Sequence, residues 1–363
     1  MVTVTGELQK AAWRARALPP VERVRPGLWS IPVPIPNNPL RYVLCYAIES
    51  DVGVTLVDTG WPGDEPWDAL ISGLEQIGAN VGDLTGVLLT HAHPDHHGLA
   101  SRLRDVSGCW IAMHSLEADH LSNLRDIDDV LQANEAWIVL CGIPSDEADS
   151  MVVTAADVRG SGDVIPDRLL TDGGDAGVPG RRVRPVWTPG HTPGHLCYAM
   201  ADEEAILTGD HTLPRITSNV SSYRAYDAPL GQYLSSLARV EEFDELEALP
   251  GHEYRFRGIA ERSAFIQRHH RRRLSEIEKT LRLAGPQTAW EVSRGLHWSR
   301  TWAETTGYLR RAALAETLAH LRLLEDRSIA SPGTAPDYRW RINVDGGMFH
   351  PVNEHSRHDG TVT

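Results

Sequence analysis

Two short, mostly apolar runs at residues 42–48 and 54–57, separated by the polar turn at 50–53, form the pattern of a β-hairpin. Residues 66–77 follow with Trp67, Leu70, Ile71 and Leu74 at helical spacing and stop at Gly78. Residues 84–90 are again short and mostly apolar, which predicts a buried strand. Strand, helix and strand in this order point to a layered α/β unit, with His91 placed where the third strand ends. Loops beyond strand ends are where catalytic groups commonly sit.

Residues 115–158 read as mostly helical, with Leu116, Leu121, Leu124, Ile127 and Leu131 as the apolar stripe and Ser115 as N-cap. This stretch is expected to be a packed helical insertion or a lid. Strand patterns return at 182–187, 195–200 and 204–207. After His252 the period changes: Ile266, His270, Leu274, Ile277 and Leu281 step by three or four until Gly285-Pro286. A domain boundary is therefore expected near Ser263, giving a catalytic domain over 1–263. Thr288 and Glu291 fit a capping box, Leu309 to Leu324 mark a longer helix, and 328–342, broken by Pro332-Gly333, reads as a hairpin wing. Three helices and a hairpin make 264–342 a winged-helix-like module, and 343–363 is expected to be a flexible tail.

The decisive stretch is Thr90-His91-Ala92-His93-Pro94-Asp95-His96, which packs four potential metal ligands into six residues after a buried strand. Imidazole nitrogens and carboxylate oxygens suit zinc and similar divalent ions, and a tight turn aims neighbouring side chains at separate ions. Three further clusters follow apolar runs in the same way: Thr188-Pro-Gly-His191, Leu207-Thr-Gly-Asp210 and Leu249-Pro-Gly-His252.

These motifs, in this order, resemble those of the metallo-β-lactamase superfamily over roughly residues 25–255. The resemblance implies an α+β fold, a four-layer αβ/βα sandwich carrying the small helical C-terminal domain. It further implies that His91, His93 and His191 hold one metal, that Asp95, His96 and His252 hold a second, and that Asp210 bridges both. The cofactors expected are two divalent ions, zinc first, with manganese or iron also accepted by this donor set. Two cations roughly 3.5 to 4 Å apart lower the pKa of a shared water until it is a nucleophile near neutral pH, with Asp95 placed to orient it or relay its proton. Asp58 matches a position beside the metals in the family, where it orients a ligand histidine or serves as a turn aspartate. Tyr254 is read as packed; His97, His114, His195 and His211 as supporting or structural; and His350, His355 and His358 as solvated tail.

The carboxylate-rich ligand set looks more like glyoxalase II than like the classical lactamases, and Thr288 to Glu291 with Ala315 to Leu321 resembles the winged-helix tail of a lactamase-like branch, some members of which cleave RNA. The net charge is -14, yet residues 265–327 hold 12 Arg/Lys against 7 Asp/Glu, so the remainder sums to -19. An acidic body suits a small ester, thioester or lactone; the basic module, with Arg271 to Arg273 and Arg310-Arg311, keeps a phosphodiesterase or ribonuclease as the alternative. A third reading is a non-enzymatic regulator whose winged helix binds DNA.

The longest apolar runs fall far short of the ~20 residues that span a bilayer, and residues 1–20 lack the apolar core of a secretory signal, so no membrane partner and a cytoplasmic location are expected. Cys45, Cys109, Cys141 and Cys197 are widely spaced with no CxxC and read as ordinary buried thiols. Oligomeric state is not encoded in any pattern of the chain.

Overall fold

A computed structural model describes residues 2–155, 163–222 and 228–344. The chain runs from β1 (Thr3–Val4) through helix Glu7–Ala15 to β2 (Glu22–Arg25), β3 (Leu28–Pro34), β4 (Tyr42–Ser50) and β5 (Gly53–Val57). Helix Asp64–Gln76 leads to β6 (Leu84–Leu88), and the short helices Pro94–His97 and Ala100–Ser107 lead to β7 (Trp110–His114). Three helices, Ser115–Asn123, Ile127–Cys141 and Ser145–Ala148, precede β8 (Arg168–Leu170), β9 (Arg184–Trp187), β10 (Leu196–Met200) and β11 (Ala205–Gly209). Helix Pro229–Val240, β12 (Glu247–Pro250) and β13 (Phe256–Arg257) complete the two large sheets.

One sheet has seven strands in sequential order from β2 to β8, antiparallel as far as β5 and parallel beyond it. The other has six, in the order β1-β13-β12-β11-β10-β9. The predicted hairpin is present, with Ser50 paired to Gly53 across the turn.

Side-chain alternation explains the layering. Along β4, Tyr42, Leu44, Tyr46 and Ile48 face the second sheet and pack with Leu196, Tyr198, Met200, Leu207 and Leu249. The intervening Val43, Cys45 and Ala47 face the other way, onto Leu70 and Leu74 of helix Asp64–Gln76 and Leu103 of helix Ala100–Ser107. The outer face of the second sheet, with Val186, Cys197, Ala199 and Ile206, is covered by Val240 and Ile259. A period of two with both phases apolar makes a sheet buried on both faces. Helix, sheet, sheet and helix are the four layers expected.

The β2-β3 pair escapes a reading by pattern because Pro32 and Pro34 interrupt it. Beyond Ser30, β2 no longer pairs with β3, so these prolines pair with Leu44 and Tyr42 on one side only. The N-cap of the first insertion helix is His114 and not Ser115: its ring nitrogen Nδ1 accepts the Leu116 N–H at 3.2 Å. The insertion packs Trp137, Leu140, Cys141 and Met151 into one core with helices Pro229–Val240, Ile259–Ala284, Ala289–Gly295 and Gly307–Asp326. Residues 156–158 of it lie outside the described residues.

The boundary expected near Ser263 falls inside helix Ile259–Ala284, which starts directly after Gly258 (φ +95°) and has no break at that point. Two further helices and a two-stranded antiparallel sheet, β14 (Ala330–Pro332) with β15 (Trp340–Ile342), follow it, and both arms of the Thr288 and Glu291 capping box are made, at 3.1 and 3.0 Å. Of the tail, only Asn343 and Val344 are described; His350, His355 and His358 lie outside the described residues. Among the described residues no helix is long and apolar enough to cross a membrane. All four cysteines are buried and unpaired.

Leu44 is 1% exposed between the sheets, whereas Leu169 on β8 is 59% exposed. Leu44→Ala should cost about 2 to 5 kcal/mol of unfolding free energy and Leu169→Ala about 0.5 or less, read from denaturant midpoints. Equal losses at the two positions would contradict the two-sheet core.

Candidate metal centre

Four loops at strand ends converge on one point between the edges of the two sheets. The strand β6 passes through Leu89, whose carbonyl accepts the Tyr198 hydroxyl at 2.6 Å, into the histidine-rich turn. Pro94 opens the short helix Pro94–His97, where its missing N–H costs nothing, and the turn of helix carries Asp95 and His96 into the same cluster, with the His96 ring 4.1 Å from that of His91. His191 comes from the loop between β9 and β10. The parallel register of β11 and β12 sets Gly209 opposite Pro250, which brings Asp210 and His252 side by side. Gly251 must lack a side chain here: a Cβ would lie 2.8 Å from both Asp210 Oδ1 and His96 Cε1.

All seven expected residues meet. His91 Nε2 lies 2.9 Å from His93 Nδ1 and 3.3 Å from His191 Nε2, and the last two atoms are 3.0 Å apart. Beside this triangle, His252 Nε2 is 3.3 Å from Asp95 Oδ2, and His96 Nε2 is 3.8 Å from the same oxygen. Asp210 lies between the two groups: Oδ1 faces His252 at 3.3 Å and His96 at 3.4 Å, while Oδ2 faces His191 at 3.8 Å.

Hydrogen bonds on the far side of each ring fix which nitrogen carries a proton. The Thr90 hydroxyl has one proton, which goes to the acceptor-only Asp58 carboxylate at 2.9 Å, so it accepts from His91 Nδ1 at 2.9 Å. His96 Nδ1–H donates to Asp58 Oδ2 at 2.7 Å, His191 Nδ1–H to the Asn219 carbonyl at 2.7 Å, and His252 Nδ1–H to the Tyr42 carbonyl at 2.8 Å. Four imidazoles therefore turn their Nε2 inward. His96 Nε2, His252 Nε2 and Asp210 Oδ1 are buried there with no hydrogen-bond partner. Buried polar atoms left in this condition are rare. The His91 and His191 Nε2 lone pairs face each other at 3.3 Å and repel unless an electrophile sits between them, and a tetrahedral zinc ion with bonds of about 2.0 Å has edges of about 3.3 Å. The donor set fits such ions.

The two halves differ electrostatically. Burial, followed by the neighbouring imidazoles, pushes His91 well below its ordinary pKa and His93 down to about 3, so this half offers neutral lone pairs. In the other half, burial opposes charge on His252, but Asp210 and Asp95 outweigh it and hold that imidazole up at about 10; Asp58, Asp210 and Asp95 raise His96 in the same way. Burial works against charge on Asp210 too, yet His252 and His96 keep it well below the usual carboxylate range. This half demands positive charge.

Asp58 orients His96: it sits at φ +60°, tolerable for aspartate, and its two oxygens hold Thr90, His96 and, through Thr90, His91. His195 and His211 are buried beside the centre; the Asp210 N–H donates to His195 Nε2 at 3.3 Å. His97 is buried without a partner for either nitrogen, and its pKa falls to about 4 through burial. His114 stacks on Trp187 at 5.4 Å, outside the cluster, and Tyr254 is packed at 6% exposure.

Glu117 is the residue that pattern reading missed. It stands in an amphipathic stretch like any surface glutamate, yet it is fully buried: Oε2 accepts the Ala92 N–H and Oε1 the Gly194 N–H, each at 2.6 Å. One carboxylate thus ties the His91–His93 turn to the His191 loop. Burial raises its pKa, partly countered by Thr192 and the two amides.

A family model described as the metallo-beta-lactamase superfamily matches residues 38–252. The chain belongs to that superfamily. A metallo-beta-lactamase family protein from Thermus thermophilus is 31% identical and superposes with a TM-score of 0.75, covering 88% of this chain and all of that one. The lactamase-like protein adaB of Aspergillus niger is 24% identical over 89% of this chain and 88% of its own length. An atrochrysone carboxyl ACP thioesterase of Aspergillus fumigatus is 26% identical over 66% of this chain and 44% of its own length.

Glutamine at position 117 keeps the shape but offers one acceptor and a clashing NH2. Glu117→Gln should therefore destabilise the fold by about 2 to 5 kcal/mol, nearly as much as Glu117→Ala, because an amide N–H is left unpaired in either case. Denaturant unfolding measures this, and a near-neutral Glu117→Gln would show that the two amides find other partners.

Proposed function

We propose that the chain is a metal-dependent hydrolase of small carboxylic esters, thioesters or lactones. His91, His93 and His191 would hold one divalent ion, Asp95, His96 and His252 a second, and Asp210 both. The observation that carries this reading is the inward orientation of four Nε2 atoms around the two oxygens of Asp210, enforced by hydrogen bonds from behind. Zinc suits the three-nitrogen half best, with manganese or iron acceptable to the half that contains Asp95. When bound, such ions lower the pKa of water and polarise a carbonyl or phosphoryl oxygen.

The chain's own side chains supply the rest. Asp95, with 12% of its side chain exposed, is near enough to solvent to orient a water molecule or take its proton. Asp58 and Thr90 take the Nδ1–H of His96 and His91, so that Nε2 is the nitrogen turned inward, and Glu117 keeps the two histidine loops at a fixed separation. No serine or cysteine nucleophile is required.

The thioesterase relative supports acyl chemistry, as does the likeness of the ligand set to glyoxalase II. Three of the five basic residues that favoured a nucleic-acid substrate are committed elsewhere. Arg273 donates to Glu276 and the His297 carbonyl and stacks on Trp298; Arg310 binds Glu147 and the carbonyls of Thr305 and Trp302; Arg311 donates to the Met151 carbonyl and stacks on Trp137. These three offer no free phosphate-binding row, whereas Arg272 is exposed. Residues 264–342 are read as winged-helix-like and serve here as a packing partner of residues 127–151. Four buried, unpaired thiols suit a cytoplasmic setting.

Assayed side by side, thioesters and lactones should turn over clearly above background, with a phosphodiester and single-stranded RNA at background. The activity should vanish on chelation and return with zinc. Higher phosphodiester or RNA turnover would replace the acyl reading by the nuclease alternative, and duplex-DNA binding without any turnover would favour a regulator. Asp210→Ala should lower turnover by at least about 100-fold and reduce bound metal while circular dichroism stays native. Unchanged turnover would remove Asp210 from the bridging role.

A further inference from the structure

Outside the centre just described, one more set of metal-ligating side chains converges among the described residues. His269 and His270 lie on helix Ile259–Ala284, and Glu316 on helix Gly307–Asp326; each contributes a ligand atom within 4.8 Å of the other two. The two helices pack in the core that joins the C-terminal region to the insertion.

The tautomer of His270 follows from the bonds around it. His320 Nδ1–H donates to the Glu316 carbonyl at 2.7 Å, one helical turn back, so His320 Nε2 has no proton. That nitrogen is 3.1 Å from His270 Nδ1, which must therefore be the donor. His270 Nε2 is left as a bare lone pair on a residue 1% exposed, and it has no partner. A ring held by one N–H, its other nitrogen buried and unpartnered, in a cluster with a carboxylate and a second imidazole, is the arrangement of a metal-ligating histidine.

The surroundings agree. The Glu316 carboxylate makes no hydrogen bond or ion pair among the described residues, and burial lifts it to about 7 against the opposing pull of Arg273. The Arg273 guanidinium is occupied by Glu276, His297 and Trp298 and leaves Glu316 without a salt bridge. Burial, followed by nearby positive groups, lowers the pKa of both His269 and His270. An ion that bonds strongly to imidazole is favoured here over calcium or magnesium, which need more oxygen ligands.

We propose that His269, His270 and Glu316 form a further divalent-cation site of the zinc class, which clamps helix Ile259–Ala284 to helix Gly307–Asp326. The site goes beyond the hydrolase reading and does not depend on it. It adjoins the centre through packing: the Tyr233 ring lies 5.7 Å from that of His270, and the Tyr233 hydroxyl donates to the His211 carbonyl at 2.8 Å, next to Asp210.

The test uses the full chain, stripped by chelation, reloaded with zinc alone and freed of unbound ion, with zinc per chain counted by elemental analysis. His269→Ala and Glu316→Gln should each retain one zinc fewer than the unsubstituted protein, with acyl turnover within about twofold and native circular dichroism. The same variants should lose the part of the zinc-dependent rise in unfolding temperature that persists in Asp210→Ala. Glu316→Gln, isosteric and half-buried, decides the matter should His269→Ala fold poorly. Zinc counts equal to the unsubstituted protein in Glu316→Gln would overturn the site. Loss of zinc in Asp210→Ala alone would leave the catalytic reading standing and remove this one; loss in the two C-terminal variants alone would do the reverse.

Discussion

The carboxylate of Asp210, buried where two sets of imidazoles meet, imposes the constraint around which the rest is organised. A lone ionised carboxylate in a protein interior costs many kcal/mol unless compensating charge or hydrogen bonds reach it. Here Oδ1 faces two imidazoles of one half and Oδ2 one imidazole of the other, and Oδ1 still lacks a hydrogen-bond partner. Such a site is tolerable only if it is held rigidly. The rigidity comes from strand ends: β6, β11 and β12 are almost entirely buried, and their side chains interlock across the inter-sheet core.

The second layer of the site is a set of acceptors placed behind the rings. Asp58, Thr90, Asn219 and Tyr42 contribute side-chain or main-chain oxygens from four separate segments, and each takes the Nδ1–H of one imidazole and turns its Nε2 inward. Glu117 does for the backbone what these do for the rings. Its two short bonds to Ala92 and Gly194 stop the loops from sliding relative to one another, so the insertion helix is part of the scaffold of the centre.

The C-terminal helices have been drawn into the same body by the insertion. Trp137, Met151, Leu274 and Leu318 share one core, and Arg310 and Arg311 reach across to Glu147 and Met151. Arg310 is buried and Arg311 half-buried with their hydrogen bonds made, so these two basic residues act as an internal tie. A charge count along the chain treats each arginine as solvated and therefore assigns the charge to the surface.

Much of this was legible in the chain itself. The density of histidine and aspartate from His91 to His96, the glycines before His191, Asp210 and His252, and the family resemblance these motifs carry together pointed to all seven converging residues, because few residue types offer atoms that bind metals. The hairpin of β4 and β5, the helix ending at Gly285 and the Thr288 capping box were likewise local, set by turn chemistry and periodicity. Tertiary structure alone decided the rest. The β2-β3 pair was hidden by prolines whose permissibility depends on where a neighbouring strand stops; the burial of Glu117, Arg273 and Arg310 depends on what lies opposite them; and the tautomers of His96 and His270 depend on oxygen and nitrogen atoms tens of residues away. Local pattern specifies which side chains are present and how each segment folds, whereas the partners that set charge, protonation and burial arrive only when distant segments pack.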